Sequence, residues 1–246
     1  MRRNAHMPRI LGALAVLLFG LHAHAAWAQW NPRFTASLGR NYGQLALSQS
    51  VLSGTRRANE DPAEPPPPSD DPDASLIFTP DPELSSEIRA GVIEILSRQS
   101  PEFRWQMERT FAGDAILKDF ESFMRAHGGY SPHNVADCMA ALLVISWEII
   151  TNSTASEVQM RGAHAQVRGI FLNTRRLQEM TNAERQEMAE KSAYQVMIAK
   201  AARDQYQRQP NKKALEELQA SATTVMQQQG IDLSQLTLTA QGFKKS

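Results

Sequence analysis

The sequence predicts an all-α protein, an orthogonal bundle of about six or seven helices around one buried central helix, preceded by a disordered Pro-rich segment. Apolar residues recur at helical spacing from residue 76 onward, which favours a helical domain over residues 76–246. Val135 to Ile150 is apolar almost all round, as is typical of a helix buried on every side. No stretch alternates like a strand over enough residues to build a sheet.

Residues 1–28 are predicted to be a signal peptide. Arg2, Arg3 and Arg9 come first, an apolar stretch from Ile10 to Leu21 follows, and small residues close the segment with Ala26-Trp27-Ala28. The alternative is an uncleaved membrane anchor, but the apolar run of about 12 residues is shorter than the roughly 20 that span a bilayer. We therefore expect a bacterial periplasmic or secreted protein without a transmembrane anchor after signal cleavage, beginning near Gln29.

Residues 29–75 are predicted to form a disordered Pro-rich tether. The segment is rich in small polar residues and contains four consecutive prolines, Pro65–Pro68, which favour extended chain over helix or strand pairing. A docking site for a proline-recognising partner is the alternative function of this segment.

The helices of the domain can be placed from their start and stop signals. Asp81-Pro82 begins a helix that reaches about Arg98, since aspartate caps and proline suits the first helical position. Short helices follow Ser100 and Asp114, and Gly128-Gly129 ends the second of these. The later helices are expected over these ranges: Val135 to Ile150; Thr154 to Thr174; Thr181, with its capping box, to about Gln209; and Leu215 to Gly230.

The tail from Ile231 to Leu238 is apolar enough to pack back on this bundle.

Charge and cysteine content exclude several classes of function. Lys+Arg and Asp+Glu both total 26, and removal of the three leader arginines leaves 26 − 3 = 23 basic residues against 26 acidic ones. A nucleic-acid-binding protein normally carries a basic excess, so none is expected. The single cysteine, Cys138, allows no intramolecular disulfide and no four-cysteine zinc site, and its apolar surroundings favour an inert thiol.

Two groups of polar residues are candidates for catalysis or metal binding. Asp137 and Glu148 share a face of the central helix but lie roughly 16 Å apart, beyond the 5–9.5 Å of paired glycosidase carboxyl groups. Asp137 near the cap Asn134 favours a helix-start role, although a partner from another helix would make it functional. His127, His133 and His164 do not form a convincing ligand set, so we predict no metal, no cofactor and ordinary surface or loop histidines.

Arg161, Arg168 and Arg175 recur every seven residues and are predicted to form one basic stripe. The stripe is either a solvated face or a surface that binds an anion or an acidic partner. Together with Asp137 and His133, these arginines are the candidate binding residues.

Several short motifs of the chain resemble those of a known family. Phe78-Thr79-Pro80 precedes the first helix, Asn134-Val135-Ala136-Asp137 opens the central one, and Leu238-Thr239 with Gly242-Phe243 closes the chain. In these features the chain resembles an uncharacterised family of exported proteobacterial proteins, a domain of unknown function. The resemblance implies an envelope or secreted location and a helical fold, and brings no catalytic residues.

The leading interpretation is a non-catalytic interaction module that binds an envelope or extracellular protein or polymer. One alternative is an enzyme acting on an envelope polymer, in which Asp137 or His133 joins residues of other helices. The other is a small-molecule carrier with an apolar cavity beneath Trp105 and Trp147.

Overall fold

The computed structural model describes residues 73–99, 104–208, 210, 212–228 and 231–245. The predicted signal peptide and residues 29–72 of the predicted tether lie outside this range. Asp73 to Ser75, also assigned to the tether, belong to the folded domain instead. Asp73 precedes a 3₁₀ turn, Ala74–Leu76, in which the Leu76 side chain is fully buried.

Seven helices make up most of the described residues, which confirms the all-α class. They are α1 (Pro82–Gln99), α2 (Arg104–Thr110), α3 (Ala115–Ala126), α4 (Val135–Thr151), α5 (Glu157–Leu172), α6 (Asn182–Arg208) and α7 (Lys212–Gln228). A single helical turn, Arg175–Gln178, links α5 to α6. Within the described part of the chain, no helix is both long and apolar enough to cross a membrane.

Helix α4 is the centre of the domain, as its all-round apolar composition predicts. Every residue from Val135 to Ile149 is buried, and α5, α6 and α7 pack around it. The Asn134 side chain caps its start by accepting hydrogen bonds from the amides of Ala136 and Asp137 at 3.0 and 3.2 Å. Such a cap satisfies amides that the first helical turn leaves without partners.

The expectation that the chain contains no sheet is wrong for the tail. Strands β1 (Leu236–Thr239) and β2 (Gly242–Lys245) form an antiparallel hairpin in which Leu238 pairs with Phe243. Four residues per strand are too few for alternation to be recognised in the sequence. The tail does pack back on the bundle, because Trp147 of α4 donates its indole N–H to the Leu236 carbonyl at 3.0 Å.

The hairpin lies directly against the backbone of α5. A Cβ atom on Gly162 would come within 2.5 Å of the Ala240 carbonyl oxygen and 2.6 Å of the Gly242 nitrogen. The Gln166 side chain then bonds both the amide and the carbonyl of Phe243, at 2.8 and 3.0 Å. Glycine at position 162 therefore allows this close approach.

Candidate functional site

A buried carboxylate, Asp137, organises the most polar part of the core. It lies in the first turn of α4 with no exposed surface and accepts four hydrogen bonds. The Ser131 amide donates at 3.1 Å and His164 Nδ1 lies at 3.1 Å. Arg168 donates twice, from Nε at 2.9 Å and from Nη2 at 2.8 Å, in the forked geometry that suits a carboxylate.

These bonds keep Asp137 ionised inside the protein. Burial alone raises the pKa of its carboxyl, but the bonds from His164 and Arg168 outweigh it and hold the pKa below its ordinary value. Arg168 also reaches the N-terminal turn, where its Nη1 lies 2.7 Å from Asp73 Oδ2. Asp137 therefore connects the segments before α1, before α4 and within α5.

His164 is the third side chain of this cluster, with Asp137 and Arg168. Its side chain is buried, and the ring of Tyr130 stacks on it with centroids 3.4 Å apart and planes 2° apart. Burial and the charge of Asp137 raise the pKa of the Tyr130 hydroxyl. No partner for His164 Nε2 is found among the residues that the structure describes.

The interhelical loop, residues 127–134, joins α3 to α4 and is fixed at several points. Gly128 has a φ of 131°, and a Cβ atom there would come within 2.6 Å of the Tyr130 ring. The Phe78 amide donates to the His133 carbonyl at 3.0 Å, while the Phe78 and His133 rings meet edge to face at 5.5 Å. Glycine at position 128 thus permits the stacking of Tyr130. Residues of the loop line two clefts.

The first cleft has a volume of about 230 Å³ and opens beside Tyr130 and His164. Ala141, Val144, Ile145 and Met160 contribute apolar surface to its lining. Four charged side chains also line it, and they form two internal ion pairs, Glu148 with Arg203 and Lys200 with Asp204.

The second cleft, of about 240 Å³, is lined by other residues of the same loop. Pro132 and His133 of the loop line it, together with Phe78, Phe120 and the buried carboxyl of Glu190. His133, a candidate binding residue, is thus at the edge of this cleft and separate from the hydrogen bonds of Asp137.

The three arginines do not form the continuous basic stripe that their spacing predicts. Arg161 is exposed, with Glu157 at 3.8 Å, whereas Arg168 turns inward to Asp137. Arg175 lies beyond the end of α5 and pairs with Glu179 at 2.7 Å. Helix α5 ends at Leu172, so the seven-residue spacing no longer describes one face.

The expectation of an ordinary surface or loop histidine is wrong for His164, which is buried within helix α5. His164 and Arg168 are interleaved with the buried residues Val167 and Phe171, at the i, i+3, i+4 and i+7 positions of one helical face. That spacing is the signal in the sequence that places both polar residues on the inner side of α5. The same spacing on α6 places Gln186 and Glu190 with Ala189 and Ala193.

Neither tryptophan of the proposed carrier cavity lines a described cleft. Trp105 is 53% exposed and Trp147 is buried against the hairpin. Among the described residues, no group of three or more His, Cys, Asp or Glu side chains could hold a metal ion.

Comparison with known proteins assigns a family and no activity. A family model described as a family of unknown function (DUF6683) matches residues 5–245. No curated protein and no solved structure matches the chain.

Proposed function

The chain belongs to this family of unknown function (DUF6683), and we propose that it is a non-catalytic binding module of the bacterial envelope or exterior. In this proposal the first cleft receives an apolar side chain of a partner protein. The supporting observation is the combination of apolar lining surface with charged residues that already satisfy one another.

The pairing of the charges favours binding over catalysis. Arg203 bonds Glu148 and also donates to the Ser153 carbonyl and the Thr154 hydroxyl, at 3.0 and 2.9 Å. A catalytic carboxylate needs an approach to substrate, whereas Glu148 is buried in these bonds and in one from the Ala155 amide at 2.7 Å. Because these charged side chains are paired with one another, they are suited to fixing the wall of the cleft around an apolar side chain of the partner.

The size of the cleft favours a protein partner over a small molecule. Pockets that enclose drug-sized ligands usually measure about 300–1,000 Å³. A cleft of about 230 Å³ is closer to the size of one large anchor side chain. Aromatic anchors that fill such recesses carry much of the energy of protein–protein interfaces.

The location is proposed from the leader of the chain. The basic, apolar and small-residue order of residues 1–28 supports export, and the prolines that follow support a spacer between the cleaved terminus and the domain. Such a spacer would leave both clefts accessible to partners.

An enzyme is the second candidate because of one observation. Asp137 bonds His164 Nδ1, as an aspartate does when it orients a catalytic histidine. The lining of the first cleft, within the described residues, includes no serine and no cysteine that could act as a nucleophile beside it. The Asp137–His164 pair therefore fits a structural role in the wall of the cleft better than a role in nucleophilic catalysis.

The binding proposal can be tested with a probe that represents one anchor side chain. We expect N-acetyl-L-tryptophanamide to shift the ¹³C-methyl NMR signals of Met124 and Met160, which line the first cleft, with a dissociation constant of about 1–10 mM. Met180, buried elsewhere, serves as the internal reference.

Matched variants locate the binding. Thr154→Trp places a large side chain at the rim of the first cleft and should abolish the shifts. Thr224→Trp, at an exposed position on α7, should leave them unchanged. Equal shifts at Met180, or shifts that survive in Thr154→Trp, would contradict the proposal.

A further inference from the structure

His164 has one ring nitrogen with a hydrogen-bond partner and one without. Its Nδ1 lies 3.1 Å from Asp137 Oδ1, and the Tyr130 ring covers one face of the imidazole. The residue is only 5% exposed, and among the described residues its Nε2 has no partner. In that part of the chain, Nε2 is not one of the side-chain atoms that lack both a partner and access to solvent, so it retains some accessible surface.

The bond to Asp137 determines which nitrogen of His164 carries the proton. Although burial raises the pKa of the Asp137 carboxyl, its hydrogen bonds hold the pKa below the ordinary value, so the group is ionised. An ionised carboxylate only accepts hydrogen bonds, and His164 Nδ1 must therefore be the donor. In the neutral imidazole, Nε2 is then an acceptor without a proton.

The positions of residues along α4 and α5 place Nε2 on the side of the ring that faces the first cleft. His164 is in the lining of this cleft. The lining that the described residues form also includes Ala141, one helical turn after Asp137, and Met160, one helical turn before His164, but it does not include Asp137. The imidazole of His164 therefore lies between the carboxylate and the cleft. Because Nδ1 points to Asp137 and Nε2 is on the opposite edge of the ring, Nε2 is directed to the cleft.

We infer that the side chain inserted into the first cleft is a tryptophan whose indole N–H donates to His164 Nε2, an inference that rests on the proposed function of that cleft. An indole is a large apolar ring with one donor and no acceptor, so it matches apolar walls that contain one free acceptor.

Other aromatic side chains fit this lining less well. A phenylalanine would leave Nε2 buried without a partner, which is costly. A tyrosine hydroxyl could donate to Nε2, but its oxygen is also an acceptor and needs a donor of its own. Lys200 and Arg203, the basic residues of the lining, are already paired with carboxylates.

The experiment compares N-acetyl-L-tryptophanamide with the corresponding amide of 3-benzothienyl-L-alanine, in which sulfur replaces the indole N–H in a ring of almost the same shape. Both are titrated into the protein and followed by the ¹³C-methyl NMR signals of Met124 and Met160. We expect the indole to bind roughly three- to tenfold more tightly, which corresponds to one hydrogen bond. The ¹⁵N signal of His164 Nε2 should move upfield with the indole and stay in place with the benzothiophene.

The two analogues distinguish failure of this inference from failure of the proposed function. Equal affinity for both, or a neutral His164 that carries its proton on Nε2, would overturn the inference and leave the proposed function intact. Binding of neither analogue up to roughly 100 mM would overturn both.

Matched substitutions test whether His164 is the acceptor. In His164→Asn the side-chain amide can still donate to Asp137, but no atom takes the place of Nε2, so the variant should bind the two analogues about equally. His127→Asn, at the other histidine in this lining, should keep the preference for the indole. A preference that persists in His164→Asn, or that is lost only in His127→Asn, would overturn the inference. If His164→Asn does not fold, the wild-type affinities and the ¹⁵N signal decide the question.

Discussion

Asp137 shows how one charged residue can hold several segments of a helical core together. Its carboxylate is bound by a loop amide, a histidine and an arginine that itself reaches Asp73. Burying a charge is costly unless every lone pair finds a partner, and here four donors supply them. The sequence predicts a role at the helix start, and the structure adds the partners on α5.

We expect Asp137→Asn to lower the free energy of unfolding by about 3 kcal/mol, because it leaves Arg168 without its carboxylate. The side chain of Arg168 is 33% exposed, so water offsets part of the loss. Urea denaturation at pH 7 measures the effect. Glu157→Gln is the matched control, since Glu157 is exposed and faces Arg161 at 3.8 Å, and it should cost less than about 1 kcal/mol.

The wild-type protein and Asp137→Asn also test the direction of the pKa shift of Asp137. Because the folded-state pKa of Asp137 lies below its ordinary value, its stabilising contribution is present above about pH 4 and is lost as the pH falls through the lower folded pKa. The difference in the free energy of unfolding between wild type and Asp137→Asn should therefore become smaller in acid. A difference in the free energy of unfolding that becomes larger below about pH 4 would contradict this account.

At the scale of elements, helix α5 shows what helical periodicity can and cannot predict. The helix itself is predicted correctly, although it spans Glu157–Leu172 rather than residues 154–174. Val167, Ile170 and Phe171, which are apolar and lie at helical spacing, are buried. Val158 is apolar too, but it is 48% exposed, so an apolar residue type alone does not place a side chain in the core. The hairpin that covers Gly162 is not predictable from α5 alone, since the contact depends on residues almost 80 positions later.

Two glycines of α5 provide a test of this hairpin contact. Gly162→Ala should destabilise the protein by about 1–3 kcal/mol, because the new methyl group would overlap the backbone of Ala240 and Gly242. Gly169→Ala, with nothing within 4 Å of its Cβ position, should be neutral or stabilise by up to about 1 kcal/mol. Urea unfolding followed by tryptophan fluorescence measures both. Similar changes in the two variants would show that α5 and the hairpin are not in close contact.

At the scale of the whole molecule, the main features of the helical domain follow from the sequence. The central helix, predicted over residues 135–150, spans Val135–Thr151 because its composition favours burial at every position. The capping box of Thr181 and Glu184 is also present, with bonds of 2.7 and 3.2 Å between them. The two clefts were not predictable, since each is lined by residues from several segments far apart in the chain.

The proposed location makes a prediction about the processing of residues 1–246. In bacteria that express residues 1–246, envelope-localised protein should begin near Gln29, and intact-mass analysis measures this start. Leu17→Asp, which interrupts the apolar part of the leader, should prevent processing. A membrane-bound protein that retains residues 1–28 would contradict the cleaved, exported form.

Cys138 gives the protein a built-in reporter of conformational opening. Its thiol has no exposed surface, and burial raises its pKa well above the ordinary value, so a labelling reagent meets neither an accessible sulfur nor a thiolate in the closed state. Modification must wait for α4 to separate from its neighbours. Because the chain has one cysteine, the labelling rate would measure how often the centre of the fold opens, and a ligand that stabilises the closed state would slow it.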